Sequence, residues 1–278
     1  MRAAAAPRST PRSPAAVPQQ HCNVLTHILC WMCGWPQIAG FEKDSASFFR
    51  ANWTAGPQVH IVPSHWNFAP GSDVKVWVFA NNEVDTVALS LNGSPLGDAQ
   101  SVTDEGWYHV EQNVTFAPGV LEAKAYGKDG KTIVASDRRE TATAATALNL
   151  TADFVGAGGL RADGSDVFMA RVTVVDAKGR TVVDSDHVNI SFSVSQQPEE
   201  EQGQGATLLH AAEEPMSPRI YGVANGDPSC YDSDKASWRK PFGGLARALV
   251  QAGTQPGKVV LTASADGLGS AHLTVDAH

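Results

Sequence analysis

The chain has 278 residues, a formal net charge of −8 and a sequence pI of about 5.5. With 42% hydrophobic and 18% charged residues, its composition is that of an ordinary globular protein of one or two domains. The acidic balance argues against a nucleic-acid partner, because neutralising phosphates requires clustered Lys and Arg. It also argues against a membrane partner, since no polybasic patch is present and no apolar run reaches the ~20 residues of a bilayer-spanning helix.

The first forty residues contain no Asp or Glu and are rich in Ala, Pro, Ser and Arg. Residues 1–37 are therefore predicted to be disordered or a non-native start, and they match a transit peptide only loosely. Cys30 and Cys33 form a C-x-x-C pair, but no second ligand pair follows at the spacing of a zinc site. The sequence therefore predicts no metal site, no cofactor and no disulfide framework.

A short helix is predicted between residues 41 and 53. Asp44 provides a capping residue at its start, and Gly56-Pro57 ends it. Its apolar face would carry the aromatic residues Phe48, Phe49 and Trp53. An isolated helix of this length is marginal in water. We therefore expect these residues and Phe41 either to pack on the first β-sandwich that follows or to form an exposed patch.

After Pro57 the chain has the alternation of β-strands throughout. Apolar residues alternate from Val74 to Ala80, and again from Val87 to Leu91, where Asn92-Gly93 gives a strong hairpin signal. Turn signals recur about every ten residues, which is typical of a β-sandwich. These patterns predict a first sandwich over residues 57–142.

A Thr/Ala run at residues 141–147 indicates a linker, and a second β series follows it. Ile190, Phe192 and Val194 share one face of a strand, and residues 196–214 have the composition of a solvated loop. The sequence predicts an all-β fold with two tandem immunoglobulin-like β-sandwich domains, the second over residues 147–278. Because the Cys…Trp…Cys pattern is absent, packing alone would hold these domains together.

No catalytic residue is predicted. A retaining glycosidase needs two carboxyl groups about 5–5.5 Å apart on a rigid frame, whereas the glutamates here lie in strands, turns or a polar loop. The chain also lacks the G-x-S-x-G elbow of α/β-hydrolases and the P-loop of nucleotide-binding enzymes.

Three tryptophans stand beside polar residues and are candidate carbohydrate contacts: Trp66, Trp107 and Trp238. Exposed aromatic faces stack on sugars, although large aromatic residues are more commonly part of a sandwich core. Asp227, in the sequence Asn-Gly-Asp-Pro, is a further candidate contact for a sugar hydroxyl or a cation. The composition of that segment also favours a simple tight turn.

Five stretches together resemble glycoside hydrolase family 2, in the branch that has additional C-terminal sandwich domains. They are GFEKDS at 40–45, HWNF at 65–68, PGVLEAKAY at 118–126, YGVANGDPS at 221–229 and the strand region 235–251. Two positions depart from the family pattern, since Glu42 stands at a usual proline and Gly243 at a usual asparagine. The resemblance covers residues 38 to 275.

The resemblance implies that residues 38–56 are the end of a catalytic (β/α)₈ barrel. The family's acid/base and nucleophile glutamates lie on earlier barrel strands, and a barrel takes about 250 residues. Neither glutamate can be assigned to any position here. The chain is therefore expected to be an accessory region of a β-galactosidase-type enzyme that is inactive by itself.

Two alternatives to this expectation stay open. The first is an autonomous carbohydrate-binding or adhesion module, and the second is a structural spacer without glycan affinity. Separately, five N-x-S/T sequons would suggest a secretory pathway in a eukaryotic host; they begin at Asn52, Asn92, Asn113, Asn149 and Asn189.

Overall fold

The computed structural model describes residues 39–103, 109–156, 158–198 and 215–278. The predicted N-terminal stretch 1–37, Trp107 and most of the predicted loop at 196–214 lie outside these residues. Within them there is one helix, α1 (Asp44–Trp53), and the strands are antiparallel wherever they pair in a named ladder. The predicted all-β class is confirmed.

The first half of the described chain forms a sandwich of two sheets. Its strands are β1 (Val59–Val62), β2 (Asp73–Ala80), β3 (Thr86–Leu91), β4 (Ser94–Pro95), β5 (Gln100–Ser101), β6 (His109–Thr115), β7 (Val120–Tyr126) and β8 (Ile133–Glu140). One sheet has the order β1-β2-β6, and the other has the order β4-β3-β7-β8 with β5 also paired to β3. The alternation in β2 buries Val74, Val76 and Val78 against the facing sheet.

The second half forms another sandwich. Its strands are β9 (Ala147–Phe154), β10 (Val167–Val175), β11 (Ile190–Pro198), β12 (Arg219–Ala224), β13 (Trp238–Arg239), β14 (Leu245–Gln251), β15 (Gly257–Ala265) and β16 (Gly269–Ala277). The sheet orders are β12-β14-β10-β9 and β13-β11-β15-β16. The core between them is mostly aliphatic but includes two phenylalanines, and its members include Phe168, Val172, Val250 and Leu261.

The two sandwiches have separate cores, one built from residues between Ile61 and Ala125 and the other from residues between Ala142 and Ala277. The predicted domain limits at 57–142 and 147–278 stay predictions at the level of individual residues, as does the origin of residues 38–56. No helix of the described residues is long and apolar enough to cross a membrane.

Residues 39–53, which we call the clamp segment, contact both sandwiches. Helix α1 packs on β1 and β2, where the rings of Phe48 and Phe79 meet edge to face at 5.5 Å. Phe41, which is 2% exposed, instead lies against the second sandwich, with the guanidinium of Arg247 4.6 Å from its ring centroid. The sequence predicts packing on the first sandwich or an exposed patch. That expectation is corrected for Phe41, which packs on Arg247 of the second sandwich.

Candidate functional site

Trp66 is a core residue of the first sandwich. It is 0% exposed, and its ring meets that of Phe116 edge to face at 5.3 Å. Its indole N–H donates to the carbonyl of Ala117 at 3.1 Å, so its polar atom is also satisfied. This burial corrects the expectation that Trp66 contacts a sugar, because neither face of the ring is open to a ligand.

Of the other three candidate contacts, the structure describes Trp238 and Asp227. Trp107 lies outside the described residues. Trp238 is half-buried on β13, opposite Ser191 of β11. Asp227 accepts hydrogen bonds at Oδ1 from the backbone N–H of Ser229 at 2.8 Å and from its hydroxyl at 2.7 Å. Its carboxylate therefore stabilises the turn, and a role for Trp107, Trp238 or Asp227 toward carbohydrate stays a prediction.

The segment from Asn225 to Asp234 is held to the sheet by Arg239, whose guanidinium is buried. Arg239 donates to the carbonyl oxygens of Val223 at 3.1 Å and Ser233 at 2.7 Å. The amide of Asn225 donates to the carbonyl of Lys240 at 3.0 Å. These contacts explain the motif at residues 221–229 as a structural device that anchors a long loop.

A Ser-His-Asp arrangement, which the sequence did not reveal, lies where α1 meets the first sandwich. The hydroxyl of Ser64 is 3.3 Å from Nε2 of His60, and Nδ1 of His60 is 3.6 Å from Asp137. Its members come from β1, the following loop and β8. Because they are far apart in the sequence, no local sequence motif predicts the arrangement. In geometry alone it resembles the constellation of an acyl-transfer enzyme.

The hydrogen bonds around these residues give them a structural role. Arg139 can only donate, and its Nη2 lies 3.1 Å from Nδ1 of His60. The hydroxyl of Ser64 donates to Asp44 at the start of α1. Asp137 and Arg139 also bond the backbone N–H and carbonyl of Ile61, which fastens β1 to β8.

Each described glutamate forms an ion pair or a hydrogen bond with a different partner, and no two of these glutamates bind the same group. The partners are Arg50 for Glu42, the backbone N–H of Gly56 for Glu83, Lys75 for Glu111, Lys124 for Glu122 and Arg180 for Glu140. At Glu111, hydrogen bonds from Lys75 and His109 outweigh the effect of partial burial and lower its pKa. Lowered pKa values favour the ionised form, which is the opposite of what a general acid needs.

A row of aromatic rings runs along α1 and onto the outer face of the sheet β1-β2-β6. Successive ring centroids are 4.9 Å apart for Trp53–Phe49, 5.6 Å for Phe49–Phe48 and 5.5 Å for Phe48–Phe79. Beyond Phe79 the row continues to Trp77, which packs on His109. At the other end Trp53 is 70% exposed. Among the described residues no group of three or more His, Cys, Asp or Glu side chains is placed to hold a metal ion.

Two family models match the chain, one in each sandwich. The model "Glycoside hydrolase family 2 C-terminal domain 5" matches residues 217–274, and the model "Domain of unknown function (DUF4982)" matches residues 71–134.

Relatives in sequence and in structure match half of the chain or more. The β-galactosidase BoGH2A of Bacteroides ovatus is 32% identical over 253 residues, which are 88% of this chain and 26% of that protein. A β-glucuronidase of Formosa agariphila is 34% identical over 138 residues, which are 50% of this chain and 13% of that protein. The crystal structure of a family 2 member from Bacteroides cellulosilyticus has a TM-score of 0.72 and 26% identity, and covers 87% of this chain and 32% of that one.

This chain thus spans about a quarter of the length of the first of these proteins. The matched domain at residues 217–274, the relatives that extend over most of the chain and the shared two-sandwich fold agree with one another. They show that the chain carries the C-terminal sandwich region of glycoside hydrolase family 2.

Proposed function

We propose that this C-terminal region is a non-catalytic accessory part of a β-galactosidase-type glycosidase, and that the outer face of α1 receives the catalytic barrel. The observation that carries the proposal is the aromatic row of the clamp segment, which ends in a tryptophan that is 70% exposed. A row of contiguous, partly exposed rings is typical of a surface that is buried in a larger assembly.

The separation of the glutamates supports the non-catalytic part of the proposal. Each of three glutamates lies in a different element and is paired with a cation: Glu42 just before α1, Glu111 in β6 and Glu140 in β8. A glycosidase instead brings two carboxyl groups to opposite sides of one bond, with the acid kept protonated. In the one described arrangement that resembles a catalytic triad, the hydroxyl of Ser64 donates to Asp44.

Activity assays test the first half of the proposal. We expect the purified chain to release no chromophore from aryl β-galactosides or aryl β-glucuronides beyond a buffer blank. Turnover that persists through a second purification step and is lost on replacing a single carboxylate of this chain would contradict the proposal.

A chimeric enzyme tests the second half. The part of the Bacteroides ovatus β-galactosidase that this chain does not match would be joined to residues 39–278, and Trp53 replaced by Ser. We expect a lower thermal midpoint in the chimera and little change in the chain alone, because Trp53 would be buried only against the barrel. The control is Tyr231→Ser, since Tyr231 is an exposed aromatic residue far along the chain in the second sandwich. If Trp53→Ser and Tyr231→Ser have equal effects in the chimera, α1 does not receive the barrel.

A further inference from the structure

An open groove of about 760 Å³ lies where the linker between the sandwiches meets the second sandwich. The linker, the loop that contains residues 182–189 and the turn between β15 and β16 form its sides. We call it the seam groove. Its volume falls within the range of about 300–1,000 Å³ that is usual for small-ligand sites.

The linker side of the seam groove is held rigidly. The amide of Asn67 donates to the carbonyl of Ala142 at 3.1 Å and accepts from its N–H at 3.0 Å. The N–H of Thr143 donates to Asp176 at 2.9 Å, and the N–H of Thr146 donates to the carbonyl of Val175 at 2.9 Å. Because these bonds fix the linker before any ligand arrives, binding here would cost little ordering of the backbone.

The opposite sides are also internally bonded. The buried hydroxyl of Ser185 donates to the carbonyl of Val182 at 2.7 Å, and the N–H of Val188 donates to the carbonyl of Ser185 at 2.9 Å. In the turn between β15 and β16, the N–H of Leu268 donates to the carbonyl of Ala265 at 3.1 Å. The groove is therefore a preformed feature of the described structure.

Four polar side chains line the groove away from the linker: Asp184, His187, Asn189 and Asp266. On the linker side, Asn67 and Thr143 also line it, but both are already hydrogen-bonded within the protein. All four are exposed, and none makes a side-chain hydrogen bond or ion pair with another described residue. The neighbouring Asp176 and Glu140, by contrast, are fully engaged with Arg180. The four groove side chains are thus available to hydrogen-bond a ligand, whereas Asp176 and Glu140 are not.

The lining selects the class of ligand. No Lys or Arg contributes to it, while two carboxylates do, so uronates, sulfates and phosphates are disfavoured. A metal ion is disfavoured as well, because no described group of three or more His, Cys, Asp or Glu is placed to bind one. Carboxylates accept hydrogen bonds from hydroxyl groups, and amides both accept hydrogen bonds from them and donate hydrogen bonds to them. Val182, Val188 and Leu268 add apolar surface for C–H faces.

We propose that the seam groove binds a neutral, hydroxyl-rich ligand, namely a short uncharged oligosaccharide, with Asp184 and Asp266 as hydroxyl acceptors. The site is distinct from the four contacts predicted from the sequence. It does not depend on whether α1 receives a barrel, since none of the described residues that line the groove belongs to α1.

Amide NMR titration of the full chain tests this proposal. Lactose is the neutral probe, and a disaccharide containing glucuronate and CaCl₂ alone are the two comparison ligands. We expect lactose to shift the resonances of residues 182–189 and 266–268 with millimolar affinity, and the comparison ligands to leave them unchanged. Absence of shifts with lactose, equal shifts with the uronate, or the same shifts with calcium alone would each overturn the proposal.

Two variants locate the site. Asp184→Asn combined with Asp266→Asn should weaken lactose binding by about tenfold or more, because hydrogen bonds to a charged acceptor are lost. Asp276→Asn, an exposed carboxylate on β16 outside the groove, is the matched control and should bind as the wild type does. If the double variant is poorly folded by circular dichroism, His187→Ala provides the second measurement. Unchanged affinity in a folded groove variant would refute the assignment.

Discussion

The two sandwiches are connected in two places that differ in chemistry. Near the linker, Arg180 donates hydrogen bonds to Glu140 of the first sandwich at 2.6 Å and to Asp176 of the second at 2.8 Å. We call these three residues the polar seam. At the clamp segment, the contacts are aromatic: Phe41 lies against Arg247 and Phe48 lies against Phe79. The polar seam involves residues close to the linker, whereas the bond from Arg247 to the carbonyl of Ala39 spans 208 positions.

This difference indicates separate tasks. The polar seam orients the short linker, since Asp176 receives the N–H and hydroxyl of Thr143 as well as Arg180. The clamp segment adds a long-range constraint and buries apolar area against both domains. We therefore expect the clamp segment to stabilise the fold mainly through apolar burial, and the polar seam to stabilise it through charged hydrogen bonds. Substitutions and changes of pH can separate these two contributions to stability.

The largest expected effect is that of Phe41→Ala. Phe41 is 2% exposed, and removing a buried phenylalanine typically costs about 3–5 kcal/mol of unfolding free energy. Denaturant unfolding followed by tryptophan fluorescence would measure it. Phe242→Ala, at a residue that is 38% exposed, is the control and should cost much less. A loss for Phe41→Ala no larger than that of the control would show that the clamp segment is detached in solution.

A smaller effect at neutral pH is expected for Asp176→Asn, with a distinct pH signature. The hydrogen bond from Arg180, aided by the N–H of Thr143, holds the pKa of Asp176 far below its usual range. A lowered folded-state pKa gives stability that is present above the unfolded pKa of about 3.9 and is lost as the pH falls below it.

Thermal midpoints measured from pH 7 to pH 2 test this signature. The wild type should lose stability more steeply than Asp176→Asn below about pH 4, because the variant has no carboxylate to protonate there. Asp129, Asp163 and Asp166 also have lowered pKa values and titrate in both proteins, so some slope will remain. Asp276→Asn should keep the wild-type slope; identical slopes for all three proteins would exclude a charge-dependent seam.

Gly40→Ala should cost about 1–2 kcal/mol through the left-handed backbone alone, since Gly40 has φ +77°. A Cβ at this position would also lie 2.6 Å from Nη1 of Arg247, the group that bonds the Ala39 carbonyl. Gly130→Ala is the matched control, because Gly130 has φ +65° and open space around it. Any excess loss for Gly40→Ala over Gly130→Ala reports the displacement of Arg247, and no excess would mean that this contact contributes little.

The smallest effect on stability is expected for Trp53→Ser, within about 0.5 kcal/mol, because the side chain is largely exposed. The same change should reduce self-association, since it removes the outermost ring of the aromatic row. Sedimentation velocity at increasing concentration would measure that reduction. A strong loss of stability would instead place Trp53 within the clamp's own packing.

The sequons show how strand alternation can imitate a signal. Asn113-Val114-Thr115 lies in β6 and Asn149-Leu150-Thr151 in β9, and in both the middle residue is buried while its neighbours are exposed. A strand with one buried face places polar residues two apart on the other face. Patterns of this kind therefore arise from the fold alone and do not by themselves indicate a compartment.

The sequence by itself determined the all-β class, the alternation of the strands and the turns at Asn92-Gly93 and Asp176–Gly179, because these depend on period and on local backbone preference. The motifs also carried the family resemblance. Only the tertiary structure decided that Trp66 is buried, that Phe41 joins the second sandwich and that His60 faces Ser64 and Asp137. Each of these facts requires side chains from distant elements to meet, and residue type alone gives no information on which aromatic ring or carboxylate will find a partner.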